Sequence, residues 1–409
     1  MALLKPFKGL RPKPELVEEI SSVPYDVVNR DEAKELAKGK PKSFLRVIRS
    51  EIEFDQNINP YDDAVYERAR MNFQKLIKDG DFIEEPYPSI YIYQLKKGDH
   101  SQTGVVGCSS VDEYDQDLIK KHEKTRTEKE NDRTRHIEAI GAHSGPVFLT
   151  YKASGRIKDL VKEEMAATPL YDFELEDGVC HRFWKAKNHQ KICDAFKNIP
   201  YTYIADGHHR AASASRARDL FRKQNKNHKG DEPYNFFLSV LFPHDELKIL
   251  AYNRVVKNPK GLSTKNVLEA LEKVYKISSN ANPLPSQNGK LSCYLEGKWY
   301  GLSPFGNEKH SQNPVENLDV SILYQKALAP IFGIGDPKTD KNIDFVGGIR
   351  GTKYLEKLVD SKQFFCAFSV YPTSINELLN IADQGLIMAP KSTWFEPKLR
   401  SGLIINKFI

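Results

Sequence analysis

Apolar positions along the chain follow two periods, and the two alternate. Residues 61–78 carry Ala69, Phe73, Leu76 and Ile77 on one stripe and stop before Gly80, which predicts an amphipathic helix. Residues 31–38 predict a short helix opened by Asn29 or Asp31 and stopped by Gly39 and Pro41. Residues 43–48, 89–95, 104–111 and 146–151 read as strands. A highly charged helix over 118–142 interrupts them; 157–166 and 189–197 read as helical, and 170–186 as irregular or strand-like. Residues 235–242 predict a buried strand that returns through a turn at 243–246 to a second strand over 247–256, a hairpin. Hairpin-like strands follow at 290–302, a helix near 319–328, and a Gly/Asp/Pro-rich stretch at 333–348. The polar, turn-rich segment 224–233 sets the expected boundary between regions 1–230 and 231–409. Both periods together, with antiparallel hairpins, predict an α+β fold with a mixed sheet.

Composition narrows the class. Hydrophobic residues make up 40% and aromatics 11% of the 409, enough for a folded core. The formal charge of +6 is the small difference between 61 basic and 55 acidic residues, which favours small anionic ligands and supplies no basic tail for nucleic acid. Cys108, Cys180, Cys193, Cys293 and Cys366 are odd in number and without metal-binding spacing, so reduced thiols are the simplest reading. No apolar stretch approaches the roughly 18 residues that span a bilayer, and the first residues do not form a signal peptide. The expectation is a soluble, cytoplasmic protein with no membrane partner.

Three constellations carry candidate chemistry. In the first, the β-prone run 201–205 ends at Asp206-Gly-His-His-Arg210 and opens a helix. A helix N-terminus presents unpaired N–H groups and a positive dipole end, Gly207 lets a ligand approach the backbone, and Arg210 can fork onto phosphate. His208 and His209 are consecutive and cannot both face one point. Alternatively, Asp206 simply caps a helix. The second is the charged run 120–136, with His122, Glu123, Arg126, Arg133 and Arg135. Either it is a solvated helix with i,i+4 pairs such as Arg126–Glu130, or its cations neutralise a polyphosphate while one carboxylate accepts a proton. The third is the rigid cationic segment 388–402, in which Lys391, Trp394 and Lys398 either form a lid over an anion or pin the C-terminus. Walker-type phosphate loops, paired GxGxxG, HExxH and GxSxG motifs are absent from the sequence.

Asp206 to Arg210 resembles, letter for letter, the signature of the free serine kinases in the ParB/sulfiredoxin-like superfamily, and His122-Glu123 resembles their upstream His-Glu pair. The whole chain is similar to the family called domain of unknown function 1015, through Lys5–Pro12, Pro24–Val28, Lys121–Arg126, Asp132–His136, Gly145–Phe148, Ala205–Arg210 and Pro390–Lys398. The resemblance implies a ParB/sulfiredoxin-like core with large N- and C-terminal elaborations. It implies a kinase that uses Mg²⁺ with ATP or ADP to turn free L-serine into O-phosphoserine, with no nucleic-acid partner. Glu123 would accept the hydroxyl proton, and the N–H groups after Gly207, Arg210 and one of His208 or His209 would hold phosphates. Asp206 would bind Mg²⁺ or orient a histidine. His122, Arg126, Arg133 and Arg135 would neutralise the polyphosphate or the substrate carboxylate. A phosphoserine phosphatase and a non-catalytic nucleotide or metabolite sensor are the alternatives.

Overall fold

A computed structural model describes residues 1–306 and 311–408. The fold is α+β with a mixed sheet, and the chain divides into two units. The first comprises residues 1–121, 125–247 and 397–409; the second comprises 122–124 and 248–396. The division replaces the boundary expected after residue 230. The polar segment there is a surface loop, and Phe236–Pro243 just beyond it is a fully buried strand in the middle of the first unit's sheet.

That sheet has nine strands. Thr202–Asp206 lies near one end, parallel to Ile119–Lys120 and antiparallel to Val147–Tyr151, with a bulge between Ile204 and Asp206. Val147–Tyr151 runs parallel to Phe236–Pro243, and the rest continues antiparallel through His100–Ser110, Tyr91–Lys97, Cys180–Lys185 and Tyr171–Glu174. The core includes Ile92, Leu149, Ile204, Phe237 and Leu241. A smaller sheet threads Ile405–Lys407 between Gly9–Pro12 and Ala142–His143, tying the two ends of the chain to one body.

Local signals explain several elements. Asn29 closes a capping box with Glu32 and starts Arg30–Leu36; Asp62 caps Asp63–Lys78, which buries Ala69, Phe73 and Leu76 as the stripe predicts. The strand expected at 43–48 is instead helical over Leu45–Ile48. Phe44, Leu45, Val47 and Ile48 are all buried, and a short run apolar on every side fits a buried helix as well as a strand. The charged helix expected over 118–142 spans only Thr127–Ile140, because Ile119–Lys120 joins the sheet as an edge strand.

The second unit holds an antiparallel sheet of six strands among the described residues, in the order Lys276–Ser279, Lys298–Ser303, Leu291–Leu295, Cys366–Val370, Tyr252–Val256 and Ile343–Gly347. Val255, Tyr294 and Trp299 pack there with Leu355, Leu358 and Val359 of helix Thr352–Asp360. The hairpin expected between 235 and 256 does not form. Lys248–Leu250 pairs with Trp394–Glu396, and Tyr252–Val256 enters the six-stranded sheet. Among the described residues no helix is long and apolar enough to cross a membrane.

Candidate active site at the Asp206–Arg210 turn

Strand Thr202–Asp206 delivers Asp206 to the edge of the core, and Gly207 turns the chain into the 17-residue helix His208–Gln224. Gly207 sits at φ 94°, a left-handed conformation that costs glycine nothing. A Cβ there would also lie 2.9 Å from Arg210 Nε, so both backbone and packing require glycine. Gly207 is the N-cap of this helix and makes no side-chain cap bond, so Asp206 does not cap it.

The Asp206 carboxylate points to two cations instead. Lys398 Nζ donates to one oxygen at 3.1 Å and Arg210 Nη2 to the other at 2.6 Å. Burial alone would push this carboxyl up; Lys398 and Arg210 outweigh it and hold the group well below the usual carboxylate range. Arg210 also donates through Nη1 to the carbonyl of Pro146 and lies 3.7 Å from Asp26. Its side chain is only 10% exposed, so both terminal nitrogens serve the protein's interior.

The two histidines separate. His208 is buried, and that burial pushes its imidazole down to about 3, leaving it neutral near pH 7. His209 is half-buried, and its Nε2 accepts a hydrogen bond from the backbone N–H of Arg126 at 3.1 Å. An accepting Nε2 places the neutral ring's proton on Nδ1. Arg126 thus reaches the turn through its backbone, in the first residues after the segment grouped with the second unit.

The family model described as "Protein of unknown function (DUF1015)" matches residues 4–321. The chain belongs to this family. No curated protein matches it. Among solved structures, it is similar to free serine kinase in complex with AMP, at 15% identity and a TM-score of 0.34, over 73% of this chain and 88% of that one. A variant of free serine kinase in complex with ADP gives 15%, 0.33 and the same coverages. SbnI with a C-terminal truncation, from Staphylococcus aureus, gives 12% and 0.38 over 72% of this chain and 85% of that one.

The remaining candidates of this DUF1015 protein fall in three places. Arg133 lies beside Asp132, its guanidinium 4.2 Å from the centre of the Tyr25 ring, and with Arg210 it lines a pocket next to the turn. Burial opposes its charge, but Asp132 and Tyr25 outweigh that and raise its affinity for the proton. Arg135 turns elsewhere: it donates to the Tyr61 carbonyl and Asp63 and stacks 4.1 Å over Tyr66. Glu130 accepts from Thr125 and Arg216, in place of the expected pair with Arg126.

His122, Glu123, Lys391 and Trp394 belong to the second unit. The buried His122 accepts through its carbonyl from Met388 N at 2.8 Å, and Glu123 is half-buried. Lys391 holds its ammonium 5.4 Å from the centre of the Tyr252 ring. Trp394 donates to Glu396 at 3.1 Å and packs on Gly347, where a Cβ would lie 2.6 Å from the indole. Four residues beside the turn escaped the sequence reading as candidates: Tyr25, Asp26, His136 and His143. The first three sit inside family landmarks, which was the available signal; His143 offered none.

Proposed function

We propose that the protein is a nucleotide-dependent phosphotransferase that phosphorylates free L-serine to O-phosphoserine. The turn at Gly207 carries the reading: a left-handed glycine opens a long helix directly after a carboxylate held ionised by Lys398 and Arg210. A helix N-terminus opened this way offers aligned N–H groups and a positive dipole end to a phosphate. The letter-for-letter likeness of Asp206–Arg210 to the free serine kinase signature supports L-serine as the acceptor.

In this reading the serine Oγ attacks the terminal phosphorus of the nucleotide, the P–O bond to the leaving nucleotide breaks, and the hydroxyl proton passes to Glu123. The N–H groups after Gly207 steady the transferring phosphoryl group. His208, neutral and buried, packs the start of the helix. His209 is a positioning residue that ties the Arg126 backbone to the turn, and Lys398 and Arg210 fix Asp206. Lys391 and Trp394 serve as lid or substrate-side residues, and His122, Arg126 and Arg133 face the polyphosphate or the substrate carboxylate; Arg135, engaged by Asp63 and Tyr66, does not.

Asp206 does not fit a magnesium ligand as it stands, since both oxygens already accept from cations. Among the described residues no group of three or more His, Cys, Asp or Glu is placed to hold a metal ion. The test is incubation of the purified protein with L-serine and ADP or ATP, with phosphoserine read by mass spectrometry. Product that depends on nucleotide supports the kinase; phosphoserine hydrolysis without nucleotide points to a phosphatase; nucleotide binding without turnover points to a sensor.

A further inference from the structure

The pocket next to the turn contains three buried polar atoms that the protein leaves unsatisfied. Neither ring nitrogen of His143 meets a hydrogen-bond partner, and neither does Arg210 Nε. The Phe236 backbone favours the charged form of His143, but no hydrogen bond of ordinary geometry joins the two. His143 is 6% exposed. Buried polar atoms are nearly always paired, so a cluster of orphans marks a place where water or a ligand belongs.

Size and charge narrow the occupant. The pocket offers about 40 Å³ of room, enough for the head group of a small molecule and too little for a nucleoside. The two cations that line it are each met by carboxylates outside the lining: Asp132 beside Arg133, and Asp206 with Asp26 at 3.7 Å beside Arg210. His136 and His143 add none near pH 7, because burial pushes them down to about 4 and about 3. A bare anion would bring an uncompensated charge into this balanced site; a ligand with one charge of each sign would not.

We propose that this pocket binds the zwitterionic head of a small α-amino acid, with its carboxylate on Arg210 Nε and a ring N–H of His143 and its ammonium toward Asp26. The inference rests on the phosphotransfer reading in one respect: Arg210 belongs to both pocket and turn, so an amino acid held there lies beside the phosphate site. Arg133, stacked on Tyr25, forms the cationic wall, and Gly145 keeps the pocket open. A Cβ on Gly145 would approach Ser401 Oγ at 3.2 Å and Arg210 Cδ at 3.8 Å.

Isothermal titration of the full, nucleotide-free chain tests this with L-serine, L-alanine, serinol, 3-hydroxypropionate and inorganic phosphate. L-serine and L-alanine should bind within about tenfold of each other, and the three that lack one charge at least about tenfold more weakly. His143→Phe removes two orphan nitrogens and sets an aromatic ring beside Phe408, whose ring centre is 5.0 Å away. It should melt no lower than the parent yet bind L-serine at least about tenfold more weakly. Should that variant fail to fold, Gly145→Ala should weaken L-serine binding at least about fivefold. The pocket assignment is overturned if no amino acid binds, if phosphate or 3-hydroxypropionate binds as well as serine, or if a folded variant binds like the parent. Phosphoserine formation is scored separately. Turnover with an unmoved KM for serine in His143→Phe would overturn the pocket and leave the kinase standing. Serine binding lost in the variant, without turnover of the parent by any nucleotide, would support the pocket and remove the kinase.

Discussion

In the first unit Arg133, Arg210 and Arg400 are nearly buried, and each lies against a carboxylate: Asp132, Asp206 and Asp177. In the second unit Arg254, 3% exposed, donates to the carbonyls of Tyr252 and Lys391 and faces the Phe345 ring at 5.4 Å. Burial pushes this guanidinium down to about 9, and Tyr252 only partly offsets it. The two environments differ in what they prepare for. Paired charges with fixed geometry cost little reorganisation when a charged ligand arrives, which is how active sites stabilise developing charge. A guanidinium satisfied by carbonyls joins segments of one sheet and its loop, and it is expendable as a charge.

Removing a charge should therefore have unequal consequences in the two units. Asp206→Asn leaves Arg210 and Lys398 without their carboxylate. It should destabilise the protein by about 3 kcal/mol and lower phosphoserine formation at least about 100-fold. Chemical denaturation and a turnover assay read the two effects. A variant with parental stability would mean the pairs are ornamental.

Acid should weaken the first unit next. His136, His143 and His208 are neutral in the fold, with values pushed down to about 4, 3 and 3, whereas in the unfolded chain they take up protons near pH 6.5. The unfolded state then binds more protons, and stability falls as pH drops through that window, by about 2 kcal/mol per histidine at pH 5. Asp206 has the opposite sign of titration but the same direction. Its depressed value stabilises the fold above the ordinary carboxylate range and is lost as pH falls through that range and below. Melting followed from pH 7 to 4 checks this; a flat profile between 7 and 5 would contradict the buried neutral histidines.

The smallest effect belongs to the second unit. Arg254→Met replaces a buried charge that has no carboxylate partner among the described residues, so stability should change by no more than about 1 kcal/mol in either direction. A loss as large as that of Asp206→Asn would erase the contrast between the units.

The same contrast explains what could be read from the sequence. The helix Asp63–Lys78, the strand Phe236–Pro243 and the junction at Gly207 follow from local periodicity, caps and a glycine, and each is legible in a few consecutive residues. Long-range pairings are not. Lys248–Leu250 pairs with Trp394–Glu396, and Lys398 reaches Asp206 from 192 residues away, so neither the missing hairpin nor the anchor of the carboxylate has a local signature. Lys398 was legible as a functional cation but not as the partner of Asp206. Arg135 shows the reverse: it stands with Arg133 in the charged run, yet it faces Asp63 and Tyr66. His143 is a single histidine among small residues, and only the fold reveals that its nitrogens are buried without partners.

The central claim is chemical, and one measurement tests it most directly: phosphoserine produced from L-serine and a nucleotide by the parent protein and by Glu123→Gln, quantified by mass spectrometry. The account predicts product from the parent in step with nucleotide consumed, and a loss of at least about 100-fold in the variant with serine and nucleotide still bound. No phosphoserine from the parent with any nucleoside di- or triphosphate would contradict it, and full turnover by Glu123→Gln would remove the base from the mechanism.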